Sequence, residues 1–265
     1  MAMKTSAAAM AILLAATPAL AHDTWLLARR ADLKPGDSLT LELTSAMDFP
    51  RPETAVMAER LVASRLRLAG VTHVLDAKAG EKALLLSSAV LTPGVAVAWI
   101  ETRPRTLELK PDQVVHYLEE IGALDSIGAS WRRSGKKVWR ESYVKVAKAY
   151  ARVGEPAGDR SWAEPLGLAL ELAPEADPTA IRAGDALGVR LLWQGKPLPD
   201  LAVGVVAEGA GKALMLRTDR DGRVSFAVDR PGRWMVRATY LREATTADRE
   251  WDSVFSTLTF AARAK

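Results

Sequence analysis

The amino-acid sequence predicts an all-β protein built from two β-sandwich domains, with a short helical insertion in the first. Short stretches that alternate apolar and polar residues recur along the chain, and Gly, Pro and Asp separate them. Residues 154–165, which are rich in Gly, Pro and charge, divide these stretches into two series. We therefore expect one domain over residues 22–160 and a second over residues 166–265.

The first series opens with Ser38–Ala46, where leucine alternates with polar residues as in a half-buried strand. Similar strands are expected near residues 61–68 and 94–104. These short segments, bounded by turn-forming residues, are typical of antiparallel sheets that pack as a sandwich.

The helical insertion is expected to begin at Pro111 and to end near Gly122. Proline suits the first turn of a helix, glycine suits its end, and the apolar residues between them have helical spacing. A second short helix is predicted over Leu124–Arg132. The next segment, Arg140–Gly154, is compatible with either a strand or a helix, and we favour the strand.

The second series contains strand-like segments with turn residues at intervals of about eight to twelve residues. This spacing predicts an immunoglobulin-like or transthyretin-like sandwich. Asp221 and Gly222 lie between two alternating stretches, a pattern that indicates a β-hairpin.

The start of the chain has the features of a secretory signal peptide over residues 1–21. Lys4 precedes a short apolar run, and Thr17–Ala21 ends with small residues at the positions a signal peptidase requires. The run is too short for a convincing membrane span, so we expect a protein that is soluble in the periplasm. Cleavage after Ala21 would make His22 the first residue, and its α-amine and imidazole could then chelate one metal ion.

The composition argues against several classes of function. The chain has no cysteine, which excludes disulfides, zinc–thiolate sites and thiol catalysis. The net charge is +4, but the basic residues are spread along the chain, so a nucleic-acid partner is not expected. No nucleophile elbow, phosphate-binding loop or paired-histidine helix is present, and we expect the protein not to be an enzyme. The other histidines, His73 and His116, are interpreted as surface or packing residues.

Several motifs, taken in order, resemble one bacterial family. They are "AHDTWL" at residues 21–26, "FPRPE" at residues 49–53, the segment from residue 112 to residue 154, and the pattern "GKPLPDLAV…TDRDGR…PGRW" near the end. This order resembles domain-of-unknown-function family 4198, which includes nickel- and cobalt-uptake components of the NikM type. The last pattern separately resembles the carboxypeptidase regulatory or transthyretin-like sandwich.

The resemblance implies a periplasmic metal-binding or metal-uptake accessory protein whose N-terminal histidine is His22. Met47, Asp48 and Tyr240 are its candidate second contacts. Members of the family often carry histidine at the positions of Met47 and Tyr240. Nickel prefers imidazole to thioether or phenol, so the absence of these two histidines is expected to weaken a nickel site. The candidate ions are nickel, cobalt and copper, and the alternative is that no metal is bound.

A membrane metal permease or another envelope protein is the partner implied by the resemblance. The alternative function is a periplasmic binding or structural module without metal. Such a module would hold an envelope protein, a transporter or a polysaccharide.

Overall fold

The computed structural model describes residues 22–90, 92–156 and 158–265, and the predicted signal peptide lies outside these residues. The protein is mostly β, which confirms the predicted all-β class. The strands are β1 (Asp23–Ala28), β2 (Asp32–Leu33), β3 (Ser38–Ala46), β4 (Thr54–Ala55), β5 (Leu61–Leu68), β6 (Val71–Val74), β7 (Asp76–Lys78), β8 (Leu84–Ala89), β9 (Gly94–Thr102), β10 (Arg105–Leu109), β11 (Trp139–Val153), β12 (Leu170–Pro174), β13 (Ala186–Trp193), β14 (Lys196–Pro197), β15 (Ala202–Ala207), β16 (Leu214–Arg217), β17 (Arg223–Ala227), β18 (Gly232–Glu243) and β19 (Trp251–Ala262).

The described strands form three sheets. A ten-stranded sheet has the order β16-β15-β18-β19-β11-β9-β5-β6, with β10 and β2 paired to β11. A five-stranded sheet has the order β1-β3-β8-β7 with β4 beside β3, and a four-stranded sheet has the order β12-β13-β14 with β17 beside β13. The five-stranded and four-stranded sheets cover opposite faces of the ten-stranded sheet.

The ten-stranded sheet joins strands from both predicted domains. Strand β11 from the first segment pairs in parallel with β19 from the second, in a register that runs from Glu141↔Trp251 to Ala149↔Thr259. The predicted boundary between a domain over residues 22–160 and a domain over residues 166–265 concerns independent folding units, and it stays a prediction. The five-stranded sheet comes from the first segment and the four-stranded sheet from the second, but the ten-stranded sheet between them is shared by both.

Two cores lie on the two faces of this shared sheet, and strand β11 contributes to both. Val146 and Tyr150 belong to the core under the four-stranded sheet, whereas Ala147 and Ala149 belong to the core under the five-stranded sheet. Successive side chains of a strand point to opposite faces, so a strand in a middle layer buries both sets. The continuous apolar stretch of β9 has the same cause.

The helical insertion follows the sequence prediction closely. Helix α1 spans Pro111–Glu120 and helix α2 spans Leu124–Ser134, between β10 and β11. Gly122 has a φ of 69°, a left-handed conformation that ends the first helix at low cost for glycine. The segment predicted as either strand or helix forms strand β11. Among the described residues, no helix is long and apolar enough to cross a bilayer.

The predicted hairpin at Asp221-Gly222 is wrong. Strand β16 pairs with β15 in the ten-stranded sheet, while β17 pairs with β13 in the four-stranded sheet. The turn therefore crosses from one layer to the next. A Cβ on Gly222 would lie 2.7 Å from the carbonyl oxygen of Leu191 on β13, so glycine is needed for the close approach of this turn to β13.

Candidate functional site

A cavity of about 450 Å³ opens beside the beginning of β1, at one end of the five-stranded sheet. Its walls come from the ten-stranded sheet (β9, β10, β11 and β19), from β1, β3 and β4, and from the turn that follows β4. A pocket of this size is in the range that holds small molecules.

His22 lies at the edge of this cavity and is held there by contacts on two sides. Its imidazole Nε2 is 3.9 Å from Oε2 of Glu53. Its backbone carbonyl accepts a hydrogen bond of 2.7 Å from Nζ of Lys145. The position of the first described residue is therefore fixed by the fold.

Lys145 projects from β11 toward His22 and is largely covered by its neighbours. Its Nζ also donates a hydrogen bond of 2.9 Å to Oγ1 of Thr24 and lies 5.5 Å from the ring centroid of Phe255. Burial lowers the pKa of Lys145 to about 8, and the Asp23 carboxylate only partly opposes this shift. No carboxylate in the described part of the chain lies within 4.0 Å of its ammonium group.

Two arginines add to the positive charge of the cavity. Arg60 donates a hydrogen bond of 3.0 Å to the carbonyl of Arg103, while its Nε is buried without a partner among the described residues. Arg105, on β10, is exposed at the cavity wall. The described residues that line the cavity include no Asp or Glu. The cavity is therefore cationic.

A buried ion cluster lies on the other side of β1. Nη1 of Arg237 is 2.5 Å from Oδ2 of Asp23 and 3.8 Å from Oε1 of Glu120. Burial raises the pKa of Asp23 and that of Glu120, and Arg237 opposes both shifts. The cluster joins β1 to β18 and to helix α1, so the strand that directly follows His22 is anchored to the shared sheet.

Two of the sequence-predicted site residues lie in the loop after β3. The register Asp23↔Ala46 brings Met47 to the same end of the sheet as His22, but the Met47 side chain is 53% exposed and does not line the cavity. Asp48 is also exposed, and its carboxylate is 3.4 Å from Nη1 of Arg51.

Tyr240 is not brought to the cavity. It lies opposite Val254 on β19 and packs against Trp193, with ring centroids 4.8 Å apart. The cavity is lined by the next residue of β19, Phe255, and neighbouring residues of a strand face opposite sides. The described residues contain no group of three or more His, Cys, Asp or Glu side chains that could hold a metal ion. His73 and His116 are exposed and lie outside the cavity.

Sequence reasoning missed Glu53, Lys145 and Arg60 as site residues. A signal for Glu53 was available, because it ends the "FPRPE" motif. In the structure this motif meets "AHDTWL" at two points: Glu53 approaches His22, and the ring of Phe49 packs edge-on against Trp25 at 5.4 Å. Lys145 belongs to the motif segment that forms β11. Three separate motifs thus converge on one cavity.

Residues 19–242 match the model of a protein family described as Domain of unknown function (DUF4198). The match covers the three motifs that meet at the cavity. No curated protein matches the chain.

Solved structures similar to the chain share little sequence with it. The adhesin InvE of Yersinia pseudotuberculosis is 14% identical, with 89% of this chain and 58% of that chain covered and a TM-score of 0.24. The ICAM-5 D1–D4 ectodomain fragment is 13% identical, with 91% and 51% covered and a TM-score of 0.24. A DUF4785 family protein from Legionella pneumophila is 9% identical, with 80% and 51% covered and a TM-score of 0.23. The chain spans about half the length of these structures.

Proposed function

We propose, from the premise that the chain belongs to the DUF4198 family, that this protein is a periplasmic accessory that captures a transition-metal ion at His22. The observation that carries the proposal is the approach of the His22 imidazole to the Glu53 carboxylate at the edge of the cavity. Nickel, cobalt and copper are the candidate ions, and a membrane metal permease or another envelope protein is the expected recipient.

The donor set supports this proposal on chemical grounds. Metal–nitrogen and metal–oxygen bonds are each about 2.0–2.2 Å long for ions of this size. Two such bonds at right or tetrahedral angles place the donor atoms about 3.0–3.5 Å apart. The separation of 3.9 Å between His22 Nε2 and Glu53 Oε2 is wider than this and long for a hydrogen bond, but the Glu53 side chain is 42% exposed and can turn toward an ion at the imidazole. Glu53 also supplies negative charge that the imidazole lacks.

The α-amine of His22 is a further donor in the proposal. It can share an ion with Nδ1 of its own imidazole, whereas Nε2 faces Glu53, so the Glu53 carboxylate joins this chelate only if its side chain turns toward Nδ1. The α-amine exists only if the chain is cleaved after Ala21, a residue outside the described part of the chain. Met47 and Asp48, in the nearby loop, are candidates for a further contact. The proposal does not use Tyr240, because its side chain packs against Trp193.

Calorimetric titration with Ni²⁺, Co²⁺ and Cu²⁺ tests the proposal, on protein whose first residue is His22. We expect His22→Ala, Glu53→Gln and a variant with one glycine added before His22 each to weaken binding by about tenfold or more. The added glycine keeps the imidazole and moves the free amine away from it. The copper complex should be the tightest of the three, following the usual order of divalent-metal affinities.

His116→Ala is the matched control, because His116 is an exposed histidine on helix α1, away from the cavity. It should bind metal as tightly as the parent. Metal binding by His22→Ala with the parent affinity would show that the proposal is wrong.

A further inference from the structure

We propose that the cavity behind His22 binds a small organic carboxylate that has an apolar body. This inference goes beyond metal capture and does not depend on it, because it rests on cavity residues other than the His22 imidazole. The cavity is lined by Lys145, Arg60 and Arg105, and none of its described lining residues is acidic.

Lys145 provides the first argument. Both acceptors of its ammonium group, the His22 carbonyl and the Thr24 hydroxyl, are uncharged. An ammonium group has three N–H donors, so one is left for a ligand. Removing a cation from water without a counter-charge is unfavourable, and a bound carboxylate would supply that charge.

The same strand shows how the fold treats a lysine that it buries for structural reasons. Lys148, three residues further along β11, lies 2.9 Å from Oε1 of Glu171, and both side chains are almost completely buried. The chain thus places a carboxylate in direct contact with Lys148, whereas the carboxylates nearest to Lys145, including Asp23, lie more than 4.0 Å from its ammonium group in the described part of the chain. This contrast indicates that the partner of Lys145 comes from outside the described chain.

Arg60 provides a second, independent argument. Its side chain borders the cavity, while its Nε is covered and has no hydrogen-bond acceptor among the described residues. A ligand would reach this N–H after a small shift of the side chain into the cavity. A buried guanidinium N–H that lacks an acceptor is rare in folded proteins and costs free energy. A carboxylate can accept hydrogen bonds from an arginine and a lysine at once.

The remaining walls define the body of the ligand. Leu107, Met57 and Phe255 give the cavity an apolar side, while Thr24 and Ser45 are polar and already bond to each other at 2.6 Å. The volume of about 450 Å³ is far larger than an inorganic anion needs. An aromatic or aliphatic monocarboxylate therefore fits both the charge and the apolar walls.

Calorimetry on metal-free protein, prepared by treatment with a chelator, tests the inference with benzoate, hexanoate, succinate, inorganic phosphate, benzamide and hexanamide. We expect benzoate or hexanoate to bind, and its neutral amide to bind at least about tenfold more weakly. Phosphate and succinate should also bind more weakly, because they do not use the apolar walls. Equal affinity for acid and amide, or no binding of either acid, would overturn the inference.

Two variants and two controls locate the binding site. Lys145→Met and Arg105→Gln should each lose about tenfold or more in affinity for the acid, and Arg105 is exposed, so its variant does not depend on core packing. Lys196→Met removes an exposed lysine on β14 and should bind as the parent does. Arg133→Gln removes an exposed arginine on helix α2 and should also bind as the parent does. Because every measurement uses metal-free protein, acid binding is separated from the metal proposal. Parent-like affinity in both Lys145→Met and Arg105→Gln would show that the cavity is not the site.

Discussion

Lys148 and Glu171 form an ion pair of 2.9 Å in which both side chains are only 2% exposed. The pair joins β11 in the shared sheet to β12 in the four-stranded sheet. Glu171 also accepts hydrogen bonds from the backbone N–H groups of Leu166, Gly167 and Leu168, so its carboxylate organises the segment that precedes β12.

Removal of one partner of this pair should destabilise the protein strongly. We expect Lys148→Met to lower the free energy of unfolding by about 3–5 kcal/mol, because Glu171 would remain charged and buried. Urea denaturation of the purified protein measures this change. The double variant Lys148→Met, Glu171→Gln should recover part of the loss. If the double variant lost the sum of the two single losses, the two groups would not act as a pair.

The Glu141 carboxylate gives the protein a specific dependence of stability on pH. It accepts hydrogen bonds from Tyr117 and Trp139 at 2.9 and 2.8 Å and from Ser253. Burial nevertheless raises the pKa of Glu141 above its ordinary value of 4.5. Between the unfolded and the folded pKa, the folded protein holds a proton that the unfolded chain has lost. The stabilisation from this proton is complete below the unfolded pKa, and it is lost as pH rises through the folded pKa.

Glu141→Gln should remove this part of the pH dependence. We compare the free energy of unfolding of the parent with that of the variant at each pH. The value for the parent minus the value for the variant should fall as pH rises from about 4 through the raised pKa of Glu141. Urea titrations at a series of pH values measure the difference. Glu108→Gln, at an exposed site on β10, is the control and should leave the pH profile unchanged. A difference that rises with pH would contradict the sign of the shift.

Gly222 should tolerate substitution worse than another glycine with nearly the same backbone conformation. Gly222 has a φ of 72°, and an added Cβ would lie 2.7 Å from the Leu191 carbonyl and 2.9 Å from the Leu198 nitrogen. Gly209 has a φ of 75° with nothing within 4 Å. Gly209→Ala should cost about 1–2 kcal/mol from backbone strain alone, and Gly222→Ala clearly more. Equal losses in thermal or urea unfolding would show that the close approach to β13 is unimportant.

Arg237 should be essential for the position of β1. In Arg237→Met, the carboxylates of Asp23 and Glu120 would lose their shared cation while they remain largely buried. We expect a loss of several kcal/mol in unfolding free energy. The triple variant that adds Asp23→Asn and Glu120→Gln should regain much of this loss, because the buried charges are then absent. No recovery would assign the loss to the packing of the Arg237 side chain.

The sequence alone predicted local structure more successfully than long-range pairing. Helices α1 and α2 were predictable because proline, glycine and apolar spacing act within a few residues. The apolar stretch of β9 was a sign of a strand buried on both faces, and it could have indicated a shared middle sheet. The hairpin at Asp221-Gly222 was wrong because the turn residues specify a bend and not the sheet that the next strand joins.

The candidate site was only partly predictable for the same reason. His22 was found through the expected cleavage site, and the cavity places it beside Glu53, which is 31 residues further along the chain. Lys145 is further still, and its approach to His22 depends on the packing of β11 beneath β1. Spacing along the sequence carries no information about such contacts, whereas the order of the family motifs pointed to the segments involved.

Because β11 pairs in parallel with β19, which comes late in the sequence, the cavity is completed late in synthesis. Phe255, on β19, forms one wall of the cavity and lies directly beside Lys145 in the register. A nascent chain that has emerged only as far as residue 250 would carry His22, Glu53 and Lys145 but would lack that wall. The cavity is therefore complete only after strand β19 has docked, and a chain that ends before Phe255 is expected to lack the proposed carboxylate site even if its first half is ordered.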